Sequence, residues 1–152
     1  MANTQAMCSS FLGELMTATH NFTTGTGNTF KAALYLASAT VNASTTAYSS
    51  SNEVTGTNYV AGGVTVTNGT SPLSSNTSTT AGVGYWTPSA SITYTNVTLT
   101  TAFDAVLIYN STSSNKAVSV HTFGSQTVTA GTFTLTMPSN TTSTALLRLA
   151  TT

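Results

Sequence analysis

The chain is 152 residues long, enough for one well-filled core and too short for two comfortable domains. Only Glu14, Lys31, Glu53, Asp104, Lys116 and Arg148 carry a formal charge, and they sum to zero, so no basic field exists for a phosphate backbone or an anionic membrane. The polar work falls instead to 36 Thr, 20 Ser and 12 Asn, which points to structure and assembly more than to chemistry. Thr is β-branched and suits a pleated strand, while its hydroxyl keeps the outer face wet without charge.

Met7, Phe11, Leu12, Leu15 and Met16 recur at three- and four-residue spacing and predict one helix over about 5–19. Asn3 or Thr4 is placed to cap its start, and His20-Asn21 to close its end. Such a helix either packs on its own β-domain or serves as an arm docked on a neighbouring subunit. Cys8 stands alone, so neither an intramolecular disulfide nor a cysteine zinc site forms from one chain.

From residue 30 the period changes to two. Phe30, Ala32, Leu34 and Leu36 face one way, and Val60, Val64 and Val66 share a parity, with Gly62-Gly63 marking a bulge or a close backbone contact. Residues 68–82 read as a low-complexity polar loop, exposed and mobile, with Pro72 inside it. Ile92 and Tyr94 have the opposite parity to Val97 and Leu99, which predicts a bulge near Asn96 or a strand buried on both faces. Ala105 to Tyr109 is the best central strand. Val118 and Val120 alternate with Ser119 and His121, Phe133, Leu135 and Met137 with threonines, and Leu147 and Leu149 with Arg148. About eight short strands follow, separated by Gly, Asn and Ser turns. The expected fold is all-β: a single antiparallel β-sandwich or jelly roll spanning 1–152, with a short N-terminal helix.

Chemistry is thin. A carboxylate dyad needs two of Glu14, Glu53 and Asp104 in one cleft, and their settings differ: a helix's polar side, a turn-rich segment and a strand entry. His20 reads as a cation favoured by a helix C-terminus, and His121 as a half-buried histidine sharing a face with Phe123. Two histidines without ligand spacing give no metal site within one chain. There is no G-x-S-x-G elbow, and Gly25-Thr26-Gly27 lacks the Lys and the strand-to-helix context of a phosphate loop and reads as a turn. The chain is expected to be no enzyme, to take no cofactor, and to bind neither nucleic acid nor membrane. Seven N-x-S/T sequons arise by chance in so Ser/Thr-rich a chain, and the first twenty residues hold no Lys or Arg, which reads as no secretory signal. Tyr85-Trp86 is either a sugar-stacking pair or a core Trp beside a hairpin.

The segments HNFTTGTGNTFKAALYLASAT (20–40), TTAYSSSNEVTGTNYVAGG (45–63) and AVLIYNSTSSNKAVSVHTFGSQTVTAGTFTL (105–135) together resemble a family of small virion structural proteins of tailed bacteriophages. Within that group the chain is most similar to capsid decoration, or cement, proteins. The resemblance implies a β-sandwich or jelly-roll subunit on the capsid exterior, made in the host bacterial cytoplasm. Its partners would be the major capsid protein and copies of itself, with a trimer as first expectation. It brings no catalytic residues. Subunit contacts are then expected at Phe11, Leu12, Leu15 and Met16. The alternative is a tail or head fibre component that binds host glycan through Tyr85 and Trp86.

Overall fold

Two long strands, β6 (Ile92–Asn110) and β7 (Lys116–Leu135), pair as one antiparallel hairpin and carry most of the architecture. In this computed structural model, which describes residues 2–75 and 82–151, β2 (Phe30–Leu36) pairs with the free edge of β6 and β1 (Ala6–Met7) with that of β7. A short β3 (Val64–Thr65) extends the sheet beyond β2, giving the order β1-β7-β6-β2-β3. A second sheet joins β4 (Leu73–Ser74), β5 (Val83–Trp86) and β8 (Leu147–Ala150) in the order β4-β5-β8. Among the described residues every strand pairing is antiparallel, so the fold is all-β, with one short helix, α1 (Ser9–Met16).

The hairpin folds back on itself. Phe123 and Phe133 both belong to β7, ten residues apart, and a straight strand would separate them by about 33 Å. Their ring centroids lie 5.2 Å apart, and Phe103 of β6 touches both, at 5.9 and 5.0 Å. Irregular register makes the corner: Leu99 faces Val128, Phe103 faces Gln126 and Ala105 faces Thr122. Four steps on β6 are thus matched by two on β7, and then two by four, so each strand bulges once and the ribbon bends. Both bulges are exposed, at residues 100–102 and 124–126. The outer half of the hairpin then covers the inner half, and the Tyr94 hydroxyl crosses the layers to donate to Ala32 O at 2.8 Å.

Three of the sequence expectations are met. Asn96 takes a left-handed φ of 53°, and the register steps from Tyr94–Phe133 to Val97–Gly131, three residues against two: a bulge where the parity switches. Gly63 has φ 71°, and a Cβ there would fall 1.7 Å from Ala32 O, so this is a close backbone approach that only glycine permits. Ala105–Tyr109 is buried between β2 and β7, as a central strand should be.

Others are corrected. The helix covers Ser9–Met16 instead of 5–19, because Ala6 and Met7 satisfy their backbone by pairing with Val120 and Ser119 of β7. Cys8, not Asn3 or Thr4, stands at its N-cap, without a side-chain cap. Asn3 is used elsewhere: its amide donates to Asp104 Oδ1 and to Leu36 O, and its carbonyl accepts from Val41 N. Asp104 itself sits inside β6, not at a strand entry. Thr17 ends the helix, so His20-Asn21 lies beyond it. Residues 68–75 of the expected polar loop include β4 and hydrogen-bonded turns, while 76–81 lie outside the described residues.

Glu53 organises the loops between β2 and β3. It is buried, and its carboxylate accepts from Tyr48 Oη (2.6 Å), Tyr59 Oη (2.6 Å) and Gly62 N (2.8 Å). Tyr109 stacks on Tyr48 and donates to Gly62 O, and Tyr35 donates to Ser49 O. Burial, with the Glu53 charge adding, raises the pKa of Tyr48, Tyr59, Tyr94 and Tyr109, and burial brings Tyr35 to about 12.

E53Q keeps the shape but removes the charge from two short hydroxyl bonds, so it should lose about 1–3 kcal/mol of stability, read as a lower urea midpoint at unchanged slope. An unchanged midpoint would mean that the carboxylate does not hold these loops. The raised phenols give a second expectation. Their stabilisation is complete below the ordinary tyrosine value of about 10 and is lost as pH rises through the folded values. Absorbance titration should show the five phenols ionising together with alkaline unfolding and not before it.

Candidate functional site

The structure splits the predicted helix stripe. Phe11 is buried and Leu15 half-buried, whereas Leu12 is 46% and Met16 86% exposed. Spacing places all four on one broad face, yet an eight-residue helix lying on a sheet covers only part of it. Phe11 and Leu15 roof an apolar cavity of about 130 Å³, walled by Pro72 and Leu73 from β4 and its approach, Tyr85 from β5 and Leu149 from β8. Leu73 and Leu149 are themselves 48% and 44% exposed. Phe11 and Leu15 of the helix and Tyr85 and Trp86 of β5, some seventy residues apart in sequence, thus line a single apolar cavity.

Among the described residues, no Asp, Glu, Lys, Arg or His lines that cavity. Arg148 sits between Leu147 and Leu149 but alternates to the other side of β8, where its Nε donates to Thr142 O at 2.7 Å. A partner covering this face would desolvate no ion, which removes the largest penalty on burial.

Of the two readings of Tyr85-Trp86, the structure gives Trp86 the core one. It is 2% exposed, with Phe22 at 4.7 Å and Phe30 at 6.1 Å between ring centroids. Its Nε1 donates to Asn68 Oδ1 and Thr70 O, both at 3.0 Å, and Asn68 Nδ2 in turn donates to Phe22 O. Neither ring face is free to stack on a sugar. The indole instead pins the start of the 68–75 segment to the core, and Trp86 lines the cavity beside Tyr85 while staying almost wholly buried.

The three carboxylates are held in three separate networks. Asp104 accepts from Asn3, Glu53 from its tyrosines, and Glu14 from Lys116 Nζ (2.6 Å) and His20 Nε2 (2.7 Å). Burial alone would raise the Glu14 pKa, but the hydrogen bonds and charges of Lys116 and His20 outweigh it and lower it. His121 is half-buried, bonded to Ser119 Oγ at 2.9 Å, and burial pushes it down to about 4, so its ring is neutral at neutral pH. Among the described residues no group of three His, Cys, Asp or Glu side chains is placed to hold a metal ion, and no helix is long and apolar enough to cross a membrane.

Sequence reasoning missed two of these networks. Glu53 is the lone charge between Lys31 and Asp104, flanked by Tyr48 and Tyr59, and that isolation was the available signal. His20 had been assigned to a helix end. It lies instead in the interior, bonded at one nitrogen to Glu14 and at the other to Asn110 Nδ2 at 3.1 Å.

Because Trp86 is the chain's one tryptophan, its emission should be blue-shifted, resist acrylamide quenching and stay unchanged on adding oligosaccharides. Saturable quenching by a glycan would restore the stacking role. Comparison with known proteins found no match among family models, curated proteins or solved structures.

Proposed function

We propose that this chain is a non-enzymatic structural protein of a tailed-bacteriophage virion, a decoration subunit that binds the outer surface of the assembled capsid and stabilises the shell. The observation that carries the reading is the uncharged apolar face around α1, left open on a protein whose net charge is zero. Contiguous exposed apolar surface on a soluble domain marks an interaction site. Two antiparallel sheets sharing one core, with the larger folded back over itself, support assignment to the β-sandwich or jelly-roll class.

The mechanism is mass action. A subunit that binds only the assembled lattice lowers the free energy of that state by an amount set by its affinity and concentration. Self-association as a closed ring, with a trimer as the working number, would repeat the face at equivalent capsid positions. The major capsid protein is the expected partner, and the capsid exterior the expected location.

The test is to mix the purified protein with capsids that lack it and count bound copies by cryo-electron microscopy. Symmetric occupancy over the shell supports the reading, and bare shells overturn it. Attachment through an uncharged face should be salt-tolerant, since little Coulombic attraction exists to be screened. Loss of binding between low and moderate salt would mean that the scattered charges do the docking. Leu12→Asp and Met16→Glu change exposed side chains, so each should alter folding stability by no more than about 0.5 kcal/mol. Both should abolish attachment, and retained binding would place the contact elsewhere.

A further inference from the structure

We propose that His20 is a proton-operated latch: uncharged, it bridges α1 to the β6–β7 turn, and charged, it keeps its hold on Glu14 and releases Asn110.

The protonation state of the ring follows from counting bonds around it. Asn110 Oδ1 accepts from the backbone of Thr112 (3.1 Å) and Ser113 (3.2 Å), which fixes the orientation of the amide. Its Nδ2 therefore faces Asn28 Oδ1 at 2.9 Å and His20 Nδ1 at 3.1 Å. Asn28 Oδ1 is fixed as an acceptor in its turn, since it also takes Asn21 N at 2.8 Å. Both hydrogens of Nδ2 are thus assigned, one to Asn28 and one to His20. Nδ1 of His20 must then be an acceptor, and the ring carries its hydrogen on Nε2, donating to Glu14 at 2.7 Å. The side chain has no solvent exposure, so water offers no substitute partner.

A second proton can enter only at Nδ1. There it would place an N–H against the N–H of Asn110, a contact of two donors. On the other side Glu14 holds the imidazolium more tightly than the imidazole, because the bond becomes an ion pair. The ionisable groups around the ring are Glu14 from α1 and Lys116 from β7, which shares that carboxylate at 2.6 Å. The 21–28 segment contributes Asn28, β6 contributes Asn110, and the rings of Phe11 and Phe22 pack alongside. Cys8, the next ionisable group near Glu14, is pushed up to about 11 by burial and stays uncharged. Every charge near His20 thus lies on the Glu14 side, and every neutral donor on the Asn110 side. Protonation transfers the residue from the turn to the helix.

The 21–28 segment, bonded to this turn through Asn28 and Asn110 at 2.9 Å, carries Phe22, which stacks on Phe30 at 4.2 Å and lines the apolar cavity beneath α1. Acidification therefore loosens the Asn110 turn and the Asn28 contact tied to it, next to that wall of the cavity, while α1 stays anchored. The inference does not depend on the virion reading, since it concerns the isolated chain.

The test is amide hydrogen exchange by NMR on the full chain, corrected for intrinsic rates and followed from neutral pH down to the lowest pH at which the fold persists. Protection at Asn21, Asn28, Thr112 and Ser113 should fall roughly tenfold on acidification, the worth of one buried hydrogen bond, while α1 keeps its protection. In H20Q, which has no proton to gain, the acid step should vanish. In N110D the carboxylate accepts from the charged ring, so the step should vanish there too. Nitrogen-15 shifts of the wild-type ring provide a check that needs no variant: the Nε2–H tautomer at neutral pH, converting to the doubly protonated form in step with the loss of protection. An Nδ1–H tautomer, a flat wild-type profile or an acid step surviving in H20Q would each overturn the proposal.

Discussion

The fold depends on the doubling-back of the β6–β7 hairpin around Phe103, Phe123 and Phe133. A two-stranded ribbon of nineteen and twenty residues cannot bury either face alone and has no independent stability in water. Bent at 100–102 and 124–126, it supplies both layers, with three aromatic rings at the corner. β1 and β2 then need only pair with edges that already exist. The bend also sets Tyr94 over β2, and from there the tyrosine cluster reaches Glu53. Edge-to-face contacts like those of Phe103 are worth about 0.5–1.5 kcal/mol each beyond area burial, enough to favour one bend over a range of curvatures.

A chain with six charges has to fix its loops by other means, and it does so with side-chain amides and hydroxyls. Asn3, Asn28, Asn42, Asn68 and Asn110 each hold backbone or side-chain partners remote from their own strand or within their own turn. Glu53 and Glu14 are placed where several donors converge, and a buried carboxylate is stable only where such donors meet it. Glu53 gathers two phenols and a backbone N–H, Glu14 an ammonium and an imidazole, and Asp104 the Asn3 amide. In this protein charge is a fastening for loops. The open apolar face is left without any.

Much of this was legible in the sequence, for a definite reason. Alternation reports which side chains face inward, so Ala105–Tyr109, the Asn96 bulge and the Gly62-Gly63 approach could all be read from parity and residue type. Alternation does not report where one strand stops being continuous. Val118–Val120 and Phe133–Leu135 read as separate strands because the exposed stretch between them lacks a pattern, although it carries the hairpin through its corner. The helix was overextended for a related reason: Met7 fits a helical stripe, but at Ala6–Met7 the free edge of β7 offers backbone pairing. The Trp86 environment was out of reach, since its partners Asn68, Thr70 and Phe22 are chosen by tertiary packing. The same holds for His20, whose role depends on Asn110, ninety residues away.

The apolar face and the His20 network are neighbours, and the relation between them is physical. Phe22 is common to both, packed against His20 on one side and against Trp86 on the other. A surface built to bury uncharged area gains nothing from long-range attraction, so its affinity rests on how well its walls are held before the partner arrives. Hydrogen bonds around Asn28 and Asn110 supply that order on the side of the 21–28 segment, and the indole of Trp86 supplies it on the side of β5. Loosening either wall raises the cost of ordering the face on binding, even where no contacting residue changes. On the proposed reading, the sites to which docking would be sensitive therefore extend beyond Leu12 and Met16 to interior polar residues that no partner touches.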